Sequence, residues 1–376
     1  MRVLISILLI ISVIFCDYSY EKSQAQPIVD QAIDNLYNYN LEETIVLLDS
    51  AMHIDKNHAI IPFLKVVTRF MISQADEDVE SSHEKVNNGI QRAIPIYKQL
   101  IKKFPDDPEY LLYLGSTYGL RARISYSRKD WLGVLYNGYQ GLKYVRKAND
   151  IDSELMDAYT PIGLMEYSSC LAPTPIQWFA TWAGLNSDCT IGKEYMEMAI
   201  NNSYYSWIEG SFIVSYIYLH IDRNYKDAER IIDPLISKFP GHPFFPFLKA
   251  ELLARQNRWN ELKKYRNTIE HFAITGPLLQ KNECMIKLLY IDSLRDFYLG
   301  EYQKVIESTS YIINNYHFEF DWLKGFAYLL RGKAYDIIGD RPLAKVDYSH
   351  VLKMDYFYPE VNEANTYLEI PFSLIK

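Results

Sequence analysis

The chain has 376 residues, 49% of them apolar, and a formal net charge of −8. That length holds two or three compact domains, or one repeat array in which each unit packs only on its neighbours. An acidic chain with no long basic run lacks the phosphate-neutralising patch that nucleic-acid binding needs.

Met1-Arg2 precedes an apolar run from Val3 to Phe15. One positive charge followed by such a run is the pattern of a secretory signal peptide, and it is too short to span a bilayer. A signal peptide over 1–16 is expected, with cleavage near Cys16 or as late as Ala25, where Ser23 and Ala25 form a small-x-small pair. A lipid anchor at Cys16 would want a small residue before it, and Phe15 stands there; a retained anchor is the third reading. The sequence thus points to an exported protein, periplasmic or secreted. No later apolar run is long enough for a membrane span, which leaves peripheral membrane association as the remaining expectation of that kind. Three cysteines follow: Cys170, Cys189 and Cys284. In an exported chain Cys170 and Cys189, which flank one insertion, are the plausible disulfide pair, worth ~3 kcal/mol; buried free thiols are the alternative.

The rest reads as helical hairpins, in which a small residue marks the crossing on each helix and apolar residues continue at i+4 and i+7. The first hairpin sets Ala32 against Thr44, with Leu48 and Ala51 following. The second opens near His58 and carries Ala93, Tyr97 and Leu100 on its second helix, stopping at Phe104-Pro105. The acidic stretch Asp76 to Ser82 between its helices reads as a solvated loop. The third starts at Pro108-Glu109, with Leu111, Leu114, Gly115 and Tyr118, then Val134, Gly138 and Gly141 from about Trp131, and both helices are expected to be extended. The fourth has Tyr159 and Gly163, then Gly192, Met196 and Ala199. The fifth pairs Tyr216 with Ala228, the sixth Ala250 with Leu262, the seventh Ser293 with Val305 around a break at Gly300. The eighth, Tyr328 to Met354, is the clearest: Gly332 and Tyr335, a Gly339-Asp340 break, then Ala344, Tyr348 and Val351. The segment 356–376 is expected to cap it.

The segment 171–188, LAPTPIQWFATWAGLNSD, departs from this pattern. Trp178, Phe179 and Trp182 in an insertion either fold back on the array or present a binding surface. No catalytic or metal motif is found. Gly184 to Lys193 mimics a phosphate loop, but the glycine spacing is too long and Glu194 stands where Ser or Thr is needed. The eight histidines are scattered. No cofactor is implied.

The Tyr328 to Met354 hairpin and its seven variants, covering Ile28 to Met354, resemble the tetratricopeptide repeat family; Arg331 stands where that pattern has Leu. The run from Gly163 through Pro173 and Pro175 to Gly192, with the Lys238-Phe239-Pro240 stop, is also similar to a eukaryotic tetratricopeptide family that includes an inclusion-body clearance protein, from which no residues carry over. The resemblance implies an all-α solenoid, a right-handed superhelix over 28–355 whose concave groove, lined by first helices, holds peptides. Tyr113, Ser116, Tyr328 and Lys333 are the candidate groove residues. The functional expectation is an exported, non-enzymatic bacterial-type repeat protein that binds another protein or peptide as a scaffold or assembly factor. The alternative is a carrier of an apolar ligand or lipid through Trp178, Phe179 and Trp182.

Overall fold

A computed structural model describes residues 23–355 and 357–374; the signal-peptide segment and Cys16 lie outside the described residues. Helices follow one another in pairs. They are α1 (Gln26–Tyr37) with α2 (Leu41–Ile54), α3 (Ile61–Asp76) with α4 (Val79–Lys103), and α5 (Pro108–Ser127) with α6 (Trp131–Ile151). In the fourth pair, α7 (Tyr159–Cys170) is separated from α9 (Cys189–Asn202) by α8 (Thr174–Trp182). Then come α10 (Trp207–Tyr216), extended by a π turn over Ile217–Ile221, with α11 (Tyr225–Lys238), α12 (Phe245–Arg255) with α13 (Trp259–Thr275), and α14 (Leu278–Tyr298) with α15 (Tyr302–Asn315). The eighth pair is α16 (Trp322–Ile338) and α17 (Arg341–Val351), followed by α18 (Pro359–Glu369). The described residues thus form an all-α solenoid of eight hairpins.

One turn is reused. The residue directly before the second helix's N-cap is left-handed at Tyr39, Lys129, Ser187, Arg223, Asn257, Gly300 and Gly339, with φ between 53° and 89°. A single left-handed residue reverses the chain in the space of about three residues. Side chains then cap the second helix: Asp130 accepts the Gly133 N–H at 3.0 Å, and Asp188 accepts that of Thr190 at 2.7 Å. The second hairpin alone among the eight lacks the left-handed residue, and there the expectation of a solvated loop fails. Only Glu77 and Asp78 separate α3 from α4, because Asp78 caps α4 by accepting the Ser81 N–H, and Ser82 and His83 turn inward.

Small residues set the crossings. A Cβ on Gly163 would lie 2.6 Å from the Gly192 carbonyl oxygen, so α7 and α9 meet backbone to backbone. At Gly332 the space is filled by the Tyr348 ring, whose hydroxyl donates to Asp336 at 2.8 Å. Arg331, in the place of the expected Leu, binds Asp347 through two hydrogen bonds of 2.8 and 2.7 Å.

The array closes on itself. On α1, Tyr37 packs 5.3 Å from Phe239, and Asn38 accepts the Gly241 N–H. Helix α3 packs on α14. α18 lies on α16 and α17, where Lys333 pairs with Glu363, and it reaches the fifth and sixth hairpins through Arg223 and Arg255, both paired with Glu360. The buried Glu251 sits between His220, on the π turn, and Arg255. Burial holds the His220 pKa well down and pushes that of Glu251 up.

Candidate interior cleft

First helices face inward and, because the array closes, face one another. α1, α3 and α5 meet α10, α12, α14 and α16 across a cleft of about 880 Å³. One wall is aromatic. Trp322 stands edge-on to Tyr216 at 5.7 Å, Phe247 lies 6.2 Å from Trp322, and Phe212 5.7 Å from Phe245. His242 stacks on Phe245 at 3.5 Å, and its Nδ1 accepts the Phe244 N–H at 3.2 Å. Burial, reinforced by the nearby Lys287 charge, keeps that imidazole neutral.

Charged groups interrupt the rings. The Lys287 ammonium lies 3.8 Å from the Phe244 ring centre and 2.9 Å from Glu283. The Tyr37 hydroxyl donates to Glu209 at 2.8 Å. The connection between α15 and α16, residues 316–321, folds into the cleft. Its Glu319 accepts hydrogen bonds from Gln74 at 3.0 Å, His83 at 3.1 Å and Arg123 at 2.6 Å. Ser127 also meets His83, at 3.4 Å, but on the same Nε2 that faces Glu319. A nucleophile–base–orienter triad places its serine and its carboxylate on opposite ring nitrogens. The cluster ties four segments together and does not have that geometry. Lys129, Lys324 and Lys353 line the cleft without an ion pair among the described residues. Nor is there, among those residues, a group of three His, Cys, Asp or Glu side chains that could hold a metal ion.

Of the groove candidates, Tyr328 lines the cleft, its ring stacked on His350 at 4.6 Å. Tyr113 does not: it is buried and stacked on Phe63 of the preceding hairpin. Ser116 is half-buried, and its hydroxyl donates to the Leu112 carbonyl of its own helix. Lys333 is occupied by Glu363 and covered by the Tyr367 and Phe372 rings. Trp178, Phe179 and Trp182 lie on α8, outside the cleft. Sequence reasoning missed the residues of 316–321. The available signal was three aromatic residues, Tyr316, Phe318 and Phe320, in what should be a short polar turn.

The insertion is itself ordered. Cys170 and Cys189 are joined by a disulfide, with Cα atoms 5.4 Å apart. Ala180 and Leu185 are buried against Leu142 of α6. Buried Glu166 accepts the N–H groups of Asn186 and Ser187 at 2.9 and 3.0 Å, and Arg146 donates to the Ala183 and Gly184 carbonyls at 3.0 and 2.6 Å. Trp178 and Trp182 remain outside this packing. Cys284 is buried and unpaired, its thiol pushed up to about 12 by burial.

No family model matches the chain, and no curated protein does. Among solved structures the chain is similar to the crystal structure of yeast Tom70, with 14% identity over 93% of this chain and 82% of that one and a TM-score of 0.38. At that identity and score the likeness carries no argument about function.

Proposed function

We propose that this chain is an exported, non-enzymatic protein of tetratricopeptide-like hairpins that binds a segment of another protein in the interior cleft, as a scaffold or assembly factor. The observation that carries this reading is the lining of the cleft by the inward faces of first helices. It alternates rings with separated charged groups over about 880 Å³. A polypeptide segment needs both, apolar pockets for its side chains and polar groups for its backbone and termini. A wholly apolar ligand would leave Lys129, Lys324 and Lys353 facing it without a counter-charge, a desolvation cost that disfavours it. Export is supported by the Val3–Phe15 run and by the Cys170–Cys189 pair, which belongs in an oxidising compartment.

The test is affinity capture from an exported fraction, followed by calorimetry on the captured partner's peptides with Tyr328→Ala and Phe244→Ala chains. Each truncation should weaken binding by about tenfold. Affinities unchanged in both variants would remove the cleft from the interaction. Mass spectrometry of the isolated protein tests the carrier alternative, which would show bound lipid, and N-terminal sequencing shows whether residues 1–16 are removed.

A further inference from the structure

The α6–α8 face has a chemistry the cleft does not explain. On α6, Leu132, Tyr136, Lys143 and Lys147 fall at i, i+4, i+11 and i+15, one side of the helix, and all four are exposed. Leu132 is 81% and Tyr136 60% exposed. Tyr139, beside this stripe, stacks on Trp182 at 6.1 Å and meets Phe179 at 6.3 Å, so α8 continues the same surface. Trp178 and Trp182, one turn apart on α8, are 72% and 73% exposed. From Tyr159 to Ser187 the one charged side chain is Glu166, and it is buried. The exposed surface of α7 and α8 therefore carries no charge, and the stripe beside it carries two lysines and, at i+18 on its last turn, the exposed Asp150.

We propose that the α6–α8 face docks on an anionic lipid surface, with Trp178, Phe179 and Trp182 entering the headgroup–acyl boundary and Lys143 and Lys147 facing the phosphates. Three features favour a bilayer over a protein partner. The indoles stand on the outside of a short helix instead of lining a groove, which suits a plane. Trp and Tyr rings with nearby Lys are the side chains that partition to a membrane interface. No carboxylate on α7 or α8 reaches this surface to repel anionic headgroups. Docking needs a firm platform, and the Cys170–Cys189 bond, the Glu166 hydrogen bonds and the Arg146 clamp supply one. The proposal does not depend on what the cleft binds.

The test uses the full chain with vesicles of phosphatidylcholine, with and without phosphatidylserine, some carrying bromine on the acyl chains. Because the Val3–Phe15 run can hold the chain to lipid by itself, the readout is bromine quenching of tryptophan emission, not flotation. Wild type should be quenched on anionic vesicles, less so in high salt. Trp178→Ser/Trp182→Ser should remove most of that quenching, and should raise the lipid needed for half-saturation by roughly tenfold or more. Lys143→Ser and Lys147→Ser should each raise it about fivefold. All four positions are on the surface, and unchanged circular dichroism verifies the fold. Equal quenching of wild type and the double Trp variant overturns the proposal. So does quenching that ignores phosphatidylserine and both lysines. A wild-type dimer that Trp178→Ser/Trp182→Ser dissolves also overturns it, by assigning the face to self-association.

Discussion

Glu319 and Arg123 are 196 residues apart in the chain and 2.6 Å apart in space. Through that contact, and through His83 and Gln74, one carboxylate holds the connection between the last two hairpins against α3, α4 and α5. Burial raises the Glu319 pKa, but Arg123 and His83 outweigh it and hold the group below the ordinary carboxylate value. A carboxylate with a depressed folded pKa adds stability above its unfolded value, about 4.3, and loses it as pH falls through the lower folded value. The cleft should therefore be held closed at neutral pH and loosen only in acid strong enough to protonate Glu319, below the ordinary carboxylate range. Glu319→Ala should open it at any pH, at a cost of about 2 kcal/mol from the buried His83 left without its acceptor. Small-angle scattering reads the result: a larger radius of gyration for the variant at pH 7, matching wild type in acid. An unchanged radius would mean the array closes without this contact.

The pair formed by Arg331 and Asp347 yields a double-mutant cycle. Asp347 is buried, and Arg331 supplies both of its short hydrogen bonds. Arg331→Leu, which restores the residue expected from the repeat pattern, should destabilise the eighth hairpin by about 3–5 kcal/mol, because a buried carboxylate loses its partner. Arg331→Leu/Asp347→Leu should recover most of that loss, since apolar replacement of a buried pair is often neutral. Urea unfolding of Arg331→Leu, Asp347→Leu and the double variant decides it. A single variant as stable as wild type would show that water reaches Asp347.

The left-handed turn residues make a third prediction and mark the limit of what the sequence discloses. A non-glycine residue in this conformation costs about 1–2 kcal/mol. Lys129 has φ 57°, so Lys129→Gly should stabilise the chain by about 1 kcal/mol, less the added freedom of glycine when unfolded. Thermal unfolding of that variant checks the sign; a lower midpoint would show that the Lys129 side chain contributes more than its backbone strain.

Gly300 and Gly339 were legible as hairpin breaks because glycine advertises the left-handed region. Tyr39, Lys129, Ser187 and Arg223 adopt it with no such signal, so their turns had to be inferred from the helices around them. The helices themselves were readable because crossings demand small residues, as at Gly163 and Gly192. The cleft was not readable. Its walls come together only when the array closes, through pairs such as Tyr37 with Phe239 and Arg123 with Glu319. The surroundings of Lys333 were hidden for the same reason: the groups that cover it, Glu363, Tyr367 and Phe372, lie in a tail without repeat pattern.

Reducing the Cys170–Cys189 bond should release α8. The bridge closes a sequence separation of 19, for which loop-closure entropy predicts about 3 kcal/mol. Cys170→Ser/Cys189→Ser should lower the thermal midpoint and raise hydrogen exchange at Asn186 and Ser187, whose N–H groups are held by Glu166. If exchange there stays slow, the Glu166 carboxylate suffices to hold the insertion. Glu166→Gln in the reduced background then separates the two contributions.

A second titration runs in the opposite direction to that of Glu319. Glu109, in the first turn of α5, has its pKa pushed up to about 7, first by burial and then by the carboxylates of Asp107 and Asp157. A carboxyl whose folded pKa is raised binds its proton more tightly when folded. The stability this gives is fully present below the unfolded value and is lost as pH rises through about 7. Between pH 5 and pH 8 the third hairpin should therefore weaken. Glu109→Gln, which stays neutral, should remove that slope and leave the variant more stable than wild type at pH 8, by about 1 kcal/mol or more. Because helix N-termini favour negative charge, the opposite result is also physically defined. If the variant is less stable at pH 8, attraction to the first turn of α5 outweighs burial and the neighbouring carboxylates. Chemical unfolding of both chains at the two pH values distinguishes these outcomes.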